Sequence, residues 1–276
     1  MKKMLLAAAT MMIVLLPSCG NSKNSKQEAE NEKKKAEILS YLDSTMVLVE
    51  GGTFTMGSNT GPRSMSIPEW AEEMGPEHEV TLDSYYICMF EVTQELWSQV
   101  MGNFDLPSAN LGVRRPVEKV TWEDCQKFIT KLNRLTGMKF RLPTEAEWEF
   151  AACGGNKSQG FIFAGSDDGY DVGCIYRDNE YATDDVGSLP PNELGIYDMT
   201  GNVWEWCEDN YGKYTAEPQK NPVYKDGTKV HVIRGGSWVN AQRSCENKVR
   251  SKLLGSSGTE AIGFRLAISA KDYKKK

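Results

Sequence analysis

Between Asn156 and Gly263 the chain is rich in glycine, aspartate, asparagine and proline, and its apolar residues come only in short runs. That stretch constrains the fold most, because neither a helical stripe nor long alternating strands can be drawn through it. It predicts loops pinned to a core by tryptophans, which bury large areas at few positions. Irregular segments of this length are usually functional or held by something else, a metal ion among the options.

The remaining chain supplies what a core needs. With 276 residues, 40% of them hydrophobic, and seven tryptophans, the composition is that of a globular protein. Two capping boxes mark helices: Thr121 with Asp124 opens one through Leu135 that ends near Gly137, and Thr144 with Glu147 opens another ended by Gly154 and Gly155. Thr93 caps a shorter helix, QELWSQVM, that stops at Gly102. MVLVEGGTFTMGS, from Met46, predicts two short strands joined by a tight turn, and Glu77 to Thr93 alternates as extended chain.

The N-terminus is different material. Lys2 and Lys3 precede LLAAATMMIVLL, an apolar run too short to span a bilayer as a mature helix. It ends in LPSC, Leu16 to Cys19, which resembles the lipobox of bacterial lipoproteins. Residues 1–19 are therefore expected to be a lipoprotein signal peptide, Cys19 the lipidated residue that anchors the protein to a membrane, and residues 20–44 a charged flexible tether. The domain is expected over 45–276, and the location in the bacterial cell envelope, facing the periplasm. There disulfides can persist, so the other six cysteines are open to pairing. A net charge of −6, with lysine clusters that carry no interleaved aromatics, argues against nucleic acid as a partner.

Chemistry is sparse. In NELGIYDMTGNVWEWCED, Asp198 and Glu205 flank Gly201, and carboxylates with loop carbonyls suit calcium; equally, both could cap turns and pair with arginines. His78 and His231 are the only histidines, and no CxxC or HxxxH spacing supports zinc or non-haem iron. Cys245 sits near Arg243, Lys248 and Arg250, which would favour a thiolate, but a lone thiol needs a second thiol, a metal or a base to do oxidative chemistry.

Taken in order, MVLVEGGTFTMGS, EVT, PVEKVTWEDC, RLPTEAEWEFAA, LGIYDMTGNVWEW, VIRGGSW and IGFRLA resemble the formylglycine-generating, sulfatase-modifying-factor domain. The resemblance implies a single α+β domain, related to C-type lectins, with much irregular structure. It implies a structural calcium held by the side chains of Asp198 and Glu205 and the carbonyls of Gly201 and Val203. The family's enzymes oxidise a sulfatase cysteine to formylglycine with oxygen and a copper ion held by two cysteines. The second falls here on Cys245, with Ser237 matching a serine beside the active site, but the first falls on Asn240. Two thiolates suit Cu(I), and an amide is a poor substitute. Of the family's half-cystines only Cys125 is matched; the partner positions hold Arg250 and Leu266. The expectation is a membrane-anchored, calcium-stabilised, non-catalytic binding or scaffold module of an envelope assembly, as in Bacteroidetes-like lipoproteins, with a protein or glycan partner. The alternative is a formylglycine-generating oxidase with copper, Cys245 and Ser237, acting on a sulfatase.

Overall fold

The computed structural model describes residues 21–63, 68–102, 106–176 and 182–274. Residues 1–19, expected to be a signal peptide ending at Cys19, lie outside the described residues, as does part of the stretch between Cys174 and Gly187. The helices are α1 (Asn21–Thr45), α2 (Pro68–Met74), α3 (Gln94–Met101), α4 (Trp122–Thr136), α5 (Glu145–Ala152) and α6 (Gly169–Val172). The strands are β1 (Met46–Val49), β2 (Gly52–Met56), β3 (His78–Leu82), β4 (Tyr85–Cys88), β5 (Trp204–Asn210), β6 (Gln219–Lys220), β7 (Val230–Arg234), β8 (Arg250–Leu254), β9 (Ile262–Gly263) and β10 (Ala267–Ser269).

Both capping boxes form. Thr121 accepts from the Asp124 amide and Thr144 from the Glu147 amide, with each acidic side chain reaching back, and Gly137 closes α4 in the left-handed region at φ 75°. Along α4, Cys125, Phe128, Ile129 and Leu132 recur at helical spacing and turn inward, where Phe128 stacks on Trp97 of α3 at 5.3 Å.

Three small sheets surround two apolar clusters: β1-β4-β10, β2-β3-β6, and the four-stranded β8-β7-β5-β9. The strands expected from MVLVEGGTFTMGS exist, but they do not pair. β1 runs antiparallel to β4 and β2 to β3, so the turn between them is a crossing between sheets. Gly51 permits it: a Cβ there would lie 2.5 Å from the Leu82 carbonyl oxygen.

Two expectations are corrected. Residues 20–44 are not a flexible tether throughout, because α1 carries Ile38, Leu39 and Leu42 into the core. Those residues and the half-buried Tyr41 form one short apolar stripe at the end of a strongly charged segment, and composition hid it. The segment from Asn156 to Gly263 is not loops alone either. Its second half contributes β5 and β7 to β9, the largest sheet. β5 is buried almost throughout, so it shows no alternation, and its Glu205 and Asp209 read as loop residues although both are buried. The tryptophan pins are real: Trp206 is fully buried and donates to the Val120 carbonyl at 3.0 Å. No described helix is long and apolar enough to cross a membrane.

Candidate functional site

β5 and β7 place the resembling residues on one side of the domain. Glu205 pairs in register with Arg234, and the chain leaving β7 turns through Gly235 and Gly236, at φ 95° and 74°, to deliver Ser237 and Asn240 beside Trp204. A cleft of ≈ 270 Å³ opens there between Trp70 and Met74 of α2 and Trp204, Asn240, Ser244 and Arg250. Trp70, the wall from α2, was not marked by sequence, since the residues just before α2 carry no motif.

Asn240 is fixed. Its Oδ1 accepts from Ser237 Oγ at 2.6 Å and from Trp204 Nε1 at 2.9 Å. Its carbonyl accepts from the Tyr176 amide. Ser237 is itself fully buried, so its hydroxyl serves to orient Asn240. Cys245 does not line the cleft. It is fully buried behind Gly236, where a Cβ would meet its sulfur at 2.1 Å, and burial pushes its thiol up to about 12. Two of the three basic residues near it in sequence are elsewhere engaged: Arg250 chelates Glu145 at 2.7 and 2.6 Å and lies 4.0 Å over the Tyr214 ring, and Lys248 donates to the Thr55 and Gly57 carbonyls. The six described cysteines, Cys125 and Cys245 included, are free thiols. Arg250 and Leu266, at the family's half-cystine positions, are an ion-pair partner and a core residue.

The other candidate residues gather around Arg265, which sequence left without a role. Its guanidinium spans both oxygens of Glu205 at 2.6 Å each and also donates to the Cys88 and Tyr197 carbonyls. Trp148 Nε1 donates to the same carboxylate at 2.9 Å. So Glu205 does pair with an arginine, and only Oε1 keeps a lone pair. Asp198 takes the Gly187 amide at 2.8 Å and sits at φ 58°, followed by Gly201 at φ 80° and Asn202 at φ 56°. Burial, with Glu205 and Asp184 nearby, raises Asp198 to about 6. Glu91, from the EVT block, is fully buried and receives the Val203 amide and the Asn202 side chain; burial and the charges of Asp198 and Glu205 push it well above the usual carboxylate range. Among the described residues no group of three or more His, Cys, Asp or Glu side chains is disposed to hold a metal ion. Any cation here would take its remaining ligands from main-chain carbonyls.

The two histidines are structural. His78 contacts the Pro76 carbonyl at 3.0 Å, and His231 stacks on Trp122 at 4.1 Å.

Residues 32–270 match the sulfatase-modifying factor enzyme 1-like domain. The chain is 32% identical to the chaperone protein LppX of Paenibacillus barcinonensis, over 73% of this chain and 81% of that protein. It is 28% identical to the inactive C-alpha-formylglycine-generating enzyme 2 of Mus musculus, over 83% and 87%. Among solved structures it superposes on Treponema denticola variable protein 1 with a TM-score of 0.72 at 26% identity, covering 81% of this chain and 94% of that one. The α+β domain described above, carried by one chain over residues 32–270, belongs to the sulfatase-modifying factor enzyme 1-like family.

Proposed function

We propose that this chain is a non-catalytic binding module of the bacterial envelope, anchored through Cys19 and braced by calcium. The observation that carries the first part is the state of the two positions at which the family's enzymes hold copper. Asn240 presents a hard amide oxygen already shared by Ser237 and Trp204, and Cys245 is a protonated thiol sealed behind Gly236. A soft Cu(I) ion has no pair of thiolates to bind, while the cleft beside them persists. One relative is named an inactive formylglycine-generating enzyme and another a chaperone, which agrees with a cleft that holds part of another exported protein without reacting with it. The test is incubation of the chain from Gln27 onward with Cu(I), oxygen and a peptide bearing a sulfatase-type Cys-x-Pro-x-Arg motif, read by mass spectrometry. No aldehyde is expected; aldehyde that disappears in Cys245→Ser would make the protein a sulfatase-activating oxidase. The binding role is read by pull-down from envelope extracts, where Asn240→Arg, which fills the cleft, should release what the native chain retains.

The donor set fits a hard cation in part. Two buried carboxylates, Asp198 and Glu205, stand near one another, with Arg265 pairing Glu205, and an all-oxygen donor set favours calcium over softer ions. Asp198 and the carbonyls of Gly201 and Val203 would carry most of the ligation, because Glu205 is largely committed to Arg265. A ligand bound only to the folded state stabilises it by about 2.7 kcal/mol at a hundredfold excess over Kd. Chelation should therefore lower the melting temperature by about 5–10 °C. Asp198→Ala should abolish that difference; a native melt unchanged by chelator removes calcium from the proposal.

A further inference from the structure

A second cavity, of ≈ 390 Å³, opens between β2 and the loops that follow α5, and none of its lining residues is shared with the cleft at Trp204. Its size is that of a small-ligand site. Phe54, Phe150, Phe161 and Ile162 form an apolar wall, with Phe54 and Phe150 packed at 5.0 Å between centroids. Phe150 is buried, whereas Phe54 and Phe161 are half-buried and can be reached from outside.

Two cations stand at this wall. Lys248 Nζ donates to the carbonyls of Thr55 at 3.2 Å and Gly57 at 2.8 Å, and Arg63 donates to the Gly160 carbonyl at 2.9 Å. Main-chain carbonyls fix both heads in place without cancelling their charge, and each head keeps at least one further N–H donor. Glu246 also lines the cavity, but its side chain is buried and its Oε2 takes the Arg63 amide at 2.6 Å; Glu77 stands exposed at the rim. On the same wall Asn247 is buried, with its Oδ1 left without a hydrogen-bond partner among the described residues. A buried acceptor without a donor is costly, and a ligand N–H that reached it would relieve that cost.

We propose that this cavity binds an acylated amino-acid end: a carboxylate for Lys248 and Arg63, an amide N–H for Asn247, and an apolar side chain for the phenylalanine wall. The C-terminus of a peptide and a free N-acyl amino acid share that chemistry. The inference is independent of the cleft at Trp204 and of calcium.

Titration calorimetry of the full chain with the tripeptide Ala-Ala-Phe, its C-terminal amide and N-acetylphenylalanine tests it. The free-acid tripeptide should bind saturably and the amide at least tenfold more weakly. Lys248→Met should weaken binding of the acid by a similar factor, and rising salt should weaken it further because the contact is charged and near the surface. Should Lys248→Met fail to fold, Phe161→Ala, at a half-buried position, serves with the same expectation. Trp204→Ala should leave the affinity unchanged. Tighter binding of the tripeptide than of acetylphenylalanine identifies chain ends as the source, and equal binding identifies the free acylated amino acid. Equal affinity for acid and amide, no saturable binding of either acid, or loss of binding in Trp204→Ala overturns the assignment.

Discussion

A chain that begins at Met46 is expected to be less stable than one that begins at Glu37 by about 5 kcal/mol. The difference lies in three side chains. Ile38 and Leu42 are fully buried and Leu39 nearly so, and each is worth about 1.5–3 kcal/mol on burial, a figure that counts from an extended unfolded chain and is therefore an upper one. The end of α1 is also bonded to the domain: the Met89 amide donates to the Thr45 carbonyl at 2.8 Å, and Tyr273 Oη donates to Asp43 at 2.9 Å. The residues before Ile38 add little. Those whose side chains are described are mostly exposed, and the Lys33–Glu37 pair, at 79% and 56% exposure, is of the surface kind that contributes almost nothing. Cutting at Glu37 should leave the melting temperature within about 2 °C of the full chain, while cutting at Met46 should lower it by about 10 °C or more. A flexible tether would give the same melting temperature for both, so equal values would restore that reading.

What the sequence disclosed follows from how locally each feature is encoded. The caps at Thr93, Thr121 and Thr144 are decided within four residues, and all three form. The family blocks are long, and they point to the stretch around Asn240, beside which a cleft opens. Long-range pairing left no comparable trace. Arg265 and Glu205 are distant in sequence, and an arginine between apolar residues, as in IGFRLA, is the one cue that its charge must be buried and paired. The same holds for Glu149, fully buried with Arg234, in a helix whose residues are all buried, so that no polar face betrays its orientation. The cavity at Lys248 is built from β2, the loop after α5 and the chain before β8, which no single stretch can announce.

Replacing Arg265 should have the largest single-residue effect near the proposed calcium site. Arg265→Met leaves Glu205 with Trp148 Nε1 as its remaining donor and strips the Cys88 and Tyr197 carbonyls of theirs. Removing one partner of a buried pair costs about 3–5 kcal/mol, because the abandoned charge cannot reach water. A melting temperature lower by about 10 °C is the expected result. Adding Glu205→Gln should recover part of that loss, since the charge goes with the substitution and the Trp148 donor keeps an acceptor. The two changes are then non-additive, as contacting residues are. Calcium gives the variant a distinguishing signature. In the native chain Arg265 takes two of the Glu205 lone pairs and Trp148 a third, so a bound ion would depend on Asp198 and carbonyls; in Arg265→Met the two taken by the arginine are released. The rise in melting temperature on adding calcium should thus be larger for Arg265→Met than for the native chain, and should vanish from both when Asp198→Ala is added. A rise of the same size in native and variant would mean that Glu205 takes no part in holding the ion, and that its role is the arginine pair alone.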